Sequence, residues 1–220
     1  MQEQFIEQKQ LMSPEKSVTT ESVTFEQPAA DGGPPTHGLR AAVSQADLDA
    51  ASRQRGRAVR GVVEVAHRCP CGEPDVLRTE PRLPEGTPFP TTYYATCPRL
   101  TGVISTLETQ GVMKQMQGRL GEDADLAAAY HAAHEDYLRR RAELGEVPEI
   151  EGISAGGMPD RVKCLHVLVA HSLAVGPGVN PLGDEALSLL DDWWVPTSCA
   201  AMSAVAGART TELGRLSSDE

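Results

Sequence analysis

Three of the chain's five cysteines bracket one proline-rich segment: Cys69 and Cys71 in "RCPCGEP", and Cys97 in "ATCPRL". A fourth, Cys164, opens "KCLHVLVAH", which also carries His166 and His171. Thiolates and imidazoles gathered from separate elements are the donors of tetrahedral zinc sites, and thiolates also hold iron–sulfur clusters. The C-x-C spacing of Cys69 and Cys71 is tighter than the C-x₂-C of zinc knuckles, so that pair carries little signal alone. Cys97 precedes Pro98, a residue suited to the first turn of a helix, and a helix N-terminus favours a thiolate.

The spacing within "KCLHVLVAH" limits what can meet. On one helix, Cys164 and His171 share a face but are separated by about 10.5 Å of rise, too far for one ion. Cys164 and His166 lie about 200° apart around a helix, so they converge only if Cys164 stands at its start. The expected metal set is therefore Cys71, Cys97, Cys164 and His166, with Cys69 as the substitute ligand and His171 as a possible additional one. Zinc or an iron–sulfur cluster suits these donors, and each cysteine taken alone reads equally well as a small buried filler. His131 and His134, at i, i+3 on a helix, are a further pair that more often touches a neighbouring carboxylate than a metal.

An anion is the other expected ligand. The net charge is −11, which argues against nucleic acid as a partner. Residues 51–100 nevertheless carry 8 arginines against 5 acidic side chains. Arg78, Arg82 and Arg99 are the candidates to grip an anion, with Cys97 or Cys164 as an activated thiol in an enzymatic reading. Pro81, Pro84, Pro88 and Pro90 make the segment between the cysteines stiff and extended, fit to present backbone groups to a ligand or a protein partner.

The elements that must position these residues follow from patterning. Residues 1–43 read as a disordered tail and 196–220 as a flexible one, leaving a single α+β domain over 44–195. A helix starts at Ser44 and stops at Gly56. Strands are expected over Val59 to Ala66, in "DVLRT" and in "TTYYAT". Helical spacing then takes over from Pro98, with a break at Gly111 and a long helix capped by Asp123. Further helices cover "DRVKCLHVLVAHSLA", from Pro159 or Asp160, and "NPLGDEALSLL". The fold class is α+β, a small antiparallel sheet of about three strands with four to five helices. No apolar run reaches the roughly 20 residues of a membrane span, and the N-terminus has no segment of signal-peptide type. A cytoplasmic location, where thiols stay reduced, is the expectation.

Taken in order, "CGEPDVLRTEPRLPEGTPFPTTYYATCPRL", "LETQGVM", "AHEDYLRRR" and "GGMPDRVKCLHVLVAHSLAVGPGVNPLGDEAL" resemble the bacterial, chiefly actinobacterial, domain-of-unknown-function family 501. The resemblance runs from about Gly56 to Trp194 and leaves Cys199 outside. Thr92 stands where the family usually has Leu, and Val167 and Leu168 stand where it usually has Ala-His. The resemblance implies no activity. Through the family's usual gene neighbours it implies a link to cell division or phosphate metabolism, with a division-associated or exopolyphosphatase-like protein as the partner. Three functions stay open: a Cys/His metal site of structural or regulatory role, a thiol-dependent enzyme acting on an anionic or phosphorylated substrate, and a protein-interaction module built on the proline-rich loop.

Overall fold

A computed structural model of the chain describes residues 43–195. The expected tails, apart from residue 43, and Cys199 lie outside the described residues. The first helix, α1 (Gln45–Arg55), forms where its caps dictate: the Ser44 hydroxyl accepts from the Asp47 N–H, and Gly56 ends the helix at φ 66°, a left-handed turn that favours glycine. Asp47 also receives a forked pair of bonds from Arg68 (2.7 and 2.8 Å), which ties α1 to the far end of the first strand.

Three antiparallel strands follow, β1 (Val62–Arg68), β2 (Pro74–Thr79) and β3 (Tyr93–Ala95), in the order β1-β2-β3. Val65 pairs with Leu77, and Leu77 with Tyr94. All six residues of β2 are buried. The pleat explains why: Val76 belongs to the core shared with the later helices, while Gln54 of α1 bonds the Pro74 carbonyl from the other side. A strand covered on both faces needs apolar residues at consecutive positions, which "VL" supplies.

The helical layer comprises α2 (Pro98–Thr109), α3 (Val112–Glu122), α4 (Ala124–Ala142), α5 (Leu165–Val175) and α6 (Pro181–Ser188), with a 3₁₀ turn at Pro148–Ile150. Gly111 at φ 83° separates α2 from α3 at the expected break, and the described residues hold six α-helices. The central element is α5. Leu165, Leu168, Val169, Ala170, His171 and Ser172 are all buried, and the helix packs on all three strands, α2 and α6. An apolar helix with no polar face has this position open to it and no other. Among the described residues, no helix is long and apolar enough to cross a membrane.

Two expectations change at this level. The helix expected from Pro159 or Asp160 begins at Leu165, and Cys164 is its extended N-cap at φ −157°, ψ 110°. The proline-rich segment is not extended either. Leu83 N–H bonds Thr87 O (2.9 Å), Phe89 N–H bonds Pro81 O (2.8 Å), and Arg82 bridges Pro88, which closes a miniature hairpin on its own backbone groups.

The caps are directly testable. The Asp123 carboxylate accepts from the N–H groups of Asp125 (3.0 Å) and Leu126 (2.9 Å) at the start of α4. Asp123→Ala is expected to cost about 1 kcal/mol, and so to lower the thermal midpoint by about 2–4 °C. An unchanged midpoint in calorimetry would show that α4 is held by its buried face alone.

Candidate metal centre

The side chains of Glu108, Cys164 and His166 meet where the last turn of α2 faces the start of α5. Their ligand atoms all lie within 4.8 Å of one another, the group of this kind found among the described residues. The sulfur of Cys164 is 3.8 Å from His166 Nδ1, and Glu108 Oε1 is 3.2 Å from the same nitrogen. Cys164 reaches its neighbour two positions on because its backbone is extended rather than helical.

Each residue is held by a second contact. His166 Nε2 lies 3.1 Å from the Thr101 carbonyl, which can only accept, so Nε2 carries its hydrogen and Nδ1 is the nitrogen turned inward. Ser105 Oγ stands 3.4 Å from the same Nε2. Glu108 Oε1 accepts the Leu165 N–H at 2.8 Å, so a side chain of α2 caps α5. The side chains of His166 and Glu108 retain 27% and 22% of their exposure, enough for an ion to enter from solvent.

In the absence of a metal the site holds a proton. The bond with Cys164 is the main reason the His166 imidazole is raised to about 9; burial opposes it, and Glu108 and the Thr101 carbonyl add to it. Burial pushes the Cys164 thiol up, but the bond with His166 and the Val167 N–H outweigh it, so the thiol ends below its ordinary value. One sulfur, one nitrogen and one carboxylate oxygen thus converge on a point that favours positive charge.

Of the residues expected from sequence, Cys164 and His166 come together, and Glu108 joins them. Cys71 and Cys97 are not in this group. Cys69 and Cys97 are buried in the main core cluster, and Cys71 packs against it half-buried. Their placement follows from the turn after β1, closed by Gly72 N–H to Cys69 O (2.8 Å), and from Cys97 standing as N-cap of α2.

His171 is fully buried, and both of its nitrogens are in use. Nε2 meets Asp136 Oδ2 at 3.1 Å, and Nδ1 meets the Asn180 amide at 3.3 Å. Its ring stacks on Tyr93 and meets Tyr137 edge-on. It is a core histidine with both ring nitrogens engaged by the protein. His134 is likewise buried, with Nδ1 2.9 Å from Ser154 Oγ, and burial lowers its pKa.

The three arginines expected to grip an anion are engaged inside the fold. Arg78 is buried and bonds the Arg140 carbonyl (2.5 Å) and Glu143 (2.8 Å). Arg82 holds Gly86 O (2.7 Å) and Glu149 (2.6 Å), within and below the hairpin. Arg99 donates to the Val195 carbonyl.

Sequence reasoning missed Glu108, although a signal existed. Thr101, Ser105 and Glu108 recur at i, i+4, i+7 along α2, a polar stripe beside the buried Leu100, Ile104 and Leu107. Nothing in one sequence says which helix that stripe faces.

Residues 65–188 match the family described as "Protein of unknown function (DUF501)". No curated protein and no solved structure matches the chain.

Proposed function

The chain belongs to the family of unknown function DUF501, and from the geometry of its own residues we propose that it is a zinc-binding protein with Glu108, Cys164 and His166 as ligands. The observation that carries this is the orientation of His166. Its Nε2–H is committed to a backbone carbonyl, and its Nδ1 faces a thiol and a carboxylate. Metal-ligating histidines are commonly fixed in this way by their other ring nitrogen. Sulfur, nitrogen and oxygen donors in one group suit zinc, whereas an iron–sulfur cluster asks for thiolates on nearly every position. Three protein ligands leave a fourth position for water, substrate or a partner's side chain, so the site supports a regulatory or reactive role more than a closed structural one.

Two further readings each have an observation in their favour. Cys69 and Cys97 lie in the core cluster and Cys71 packs against it, which keeps these thiols as candidates for a separate role. The lowered pKa of Cys164 at the head of α5 supports thiol chemistry on an anionic or phosphorylated substrate. A cytoplasmic location and a partner among division-associated or exopolyphosphatase-like proteins belong to the proposal through the family resemblance alone. The hairpin as an interaction module has less support, since its backbone groups are bonded internally.

Metal content of the anaerobically purified chain tests the proposal. One zinc per chain is expected, lost on Cys164→Ser. A second equivalent that survives this change and disappears with Cys97→Ser would assign the other cysteines. Metal-free protein whose Cys164 alkylates rapidly at pH 7 would replace the zinc reading with the thiol one.

A further inference from the structure

The outer face of the sheet, away from the metal group, carries a cleft of about 130 Å³ lined by Arg55, Arg57, Arg60, Leu77, Phe89 and Tyr94 among others. No carboxylate lines it. The cleft exists because three features meet. The left-handed turn at Gly56 folds the chain back along α1, where Arg57 N–H bonds Ser52 O (3.2 Å) and Val59 N–H bonds Ser52 Oγ (3.2 Å). Leu77 and Tyr94, paired across β2 and β3, supply the floor. The hairpin sets Phe89 beside Tyr94, with ring centroids 6.4 Å apart.

The charges here differ from those elsewhere in the molecule. Arg78, Arg82 and Arg119 each hold a carboxylate. Arg55 instead lies over the Tyr94 ring, 4.9 Å from its centroid, and its Nε, like that of Arg78, is buried with no hydrogen-bond partner. Neither Arg55 nor Arg57 pairs with a carboxylate among the described residues. Arg60 is held by Glu85 at 2.6 Å, but both side chains are exposed and such a pair exchanges readily. What sets Arg55 apart from Arg78 is the lack of a carboxylate on its guanidinium, and a bound oxyanion would supply that acceptor. Arg55 and Arg53 also suit the C-terminal dipole of α1, which explains their charge but not the burial of an unpaired Nε.

We propose that this cleft binds a small planar anion: an aromatic or equally flat apolar group against Tyr94 and Phe89, carrying a phosphate or carboxylate to Arg55 and Arg57. The volume sets the size, since a cavity of roughly 150 Å³ accepts one benzene ring, and about 130 Å³ is well short of what a whole nucleotide needs. The apolar floor selects the ring, and the guanidinium forks select a planar or tetrahedral oxyanion. Glu108, Cys164 and His166 take no part, so the inference stands whether or not the chain binds zinc.

The test is a titration of the full chain followed by NMR of the Tyr94 and Phe89 rings, with phenyl phosphate, benzoate, inorganic phosphate and benzyl alcohol as probes. Phenyl phosphate or benzoate should give saturable shifts at both rings, and the tighter of the two names the head group. Inorganic phosphate and benzyl alcohol, each carrying half of the recognition, should bind at least about tenfold more weakly. Arg55→Gln should weaken the aromatic anion by about tenfold or more. Arg57→Gln, at an exposed position, should weaken it severalfold with the thermal midpoint unchanged, which keeps the test valid if Arg55→Gln disturbs α1. Shifts that do not saturate, equal binding of inorganic phosphate, or no response to Arg57→Gln in folded protein would overturn the proposal.

Discussion

Replacing His166 by alanine is expected to lower zinc affinity at least about 100-fold, beyond the 10- to 100-fold that loss of an outer-shell partner typically costs. The change deletes the nitrogen donor whose orientation Thr101 fixes. Cys164→Ser should match it, because a hydroxyl keeps the shape but not the thiolate. Glu108→Gln should fall between these and the wild type, since an amide oxygen can still cap Leu165 but has lost its charge. The double change Cys164→Ser/His166→Ala should be little worse than either alone, because one ion couples the two ligands. Competition with a coloured chelator reads all four. A His166→Ala protein with wild-type affinity would remove the site.

The pH dependence follows from the same contacts. Zinc must displace the proton from Nδ1 of an imidazole raised to about 9, and must take the thiolate of Cys164. Apparent affinity should therefore rise with pH across neutrality and level off above about 9, with proton release visible as a buffer-dependent binding enthalpy. In the metal-free chain the sign is opposite. The folded-state pKa of His166 is above its unfolded value of 6.5, so its contribution to stability is complete below that value and is lost as pH rises through about 9.

The sequence carried much of the scaffold, because scaffold signals are local. Ser44 and Gly56 bound α1, Asp123 caps α4, and Gly111 breaks the helical run, each through its own backbone bonds. The α+β class and the three strands are legible for the same reason. The α5 start was misplaced because apolar periodicity cannot show that residues 159–163 turn instead of coiling. The site was half legible. Cys164 and His166 are two positions apart, so a single extended residue decides whether they meet. Glu108 comes from 56 positions before Cys164 and is chosen by how α2 packs on α5, which no local pattern encodes. The partners of the arginines were illegible for a related reason. A basic run announces charge, but which guanidinium keeps an open edge depends on carboxylates such as Glu143 and Glu149, far along the chain.

Gly183→Ala is expected to be strongly destabilising despite adding only one carbon. Within a helix this change ordinarily stabilises by up to about 1 kcal/mol. Gly183, however, sits where α6 crosses α5 at closest approach. A Cβ there would meet the Leu168 carbonyl oxygen and the Ser172 hydroxyl, and the Leu168 carbonyl carbon at 2.8 Å. Two of these atoms are backbone of α5 at Leu168, a buried residue of the central helix, so the neighbour cannot move aside. The alternative is for α6 to lift. That would pull Asn180 from its cap on the Gly183 N–H (3.0 Å) and from the buried imidazole of His171. Overpacking of this kind costs about 1–3 kcal/mol, and the strained polar contacts of Asn180 and His171 place this case at the upper end. The thermal midpoint should fall by roughly 10 °C at 2–4 °C per kcal/mol. Gly118→Ala is the control: it lies in α3 with nothing within 4 Å of the added carbon, and should hold or raise the midpoint. Calorimetry of the two proteins side by side decides the matter, because equal midpoints would mean that α5 and α6 are not locked together at Gly183.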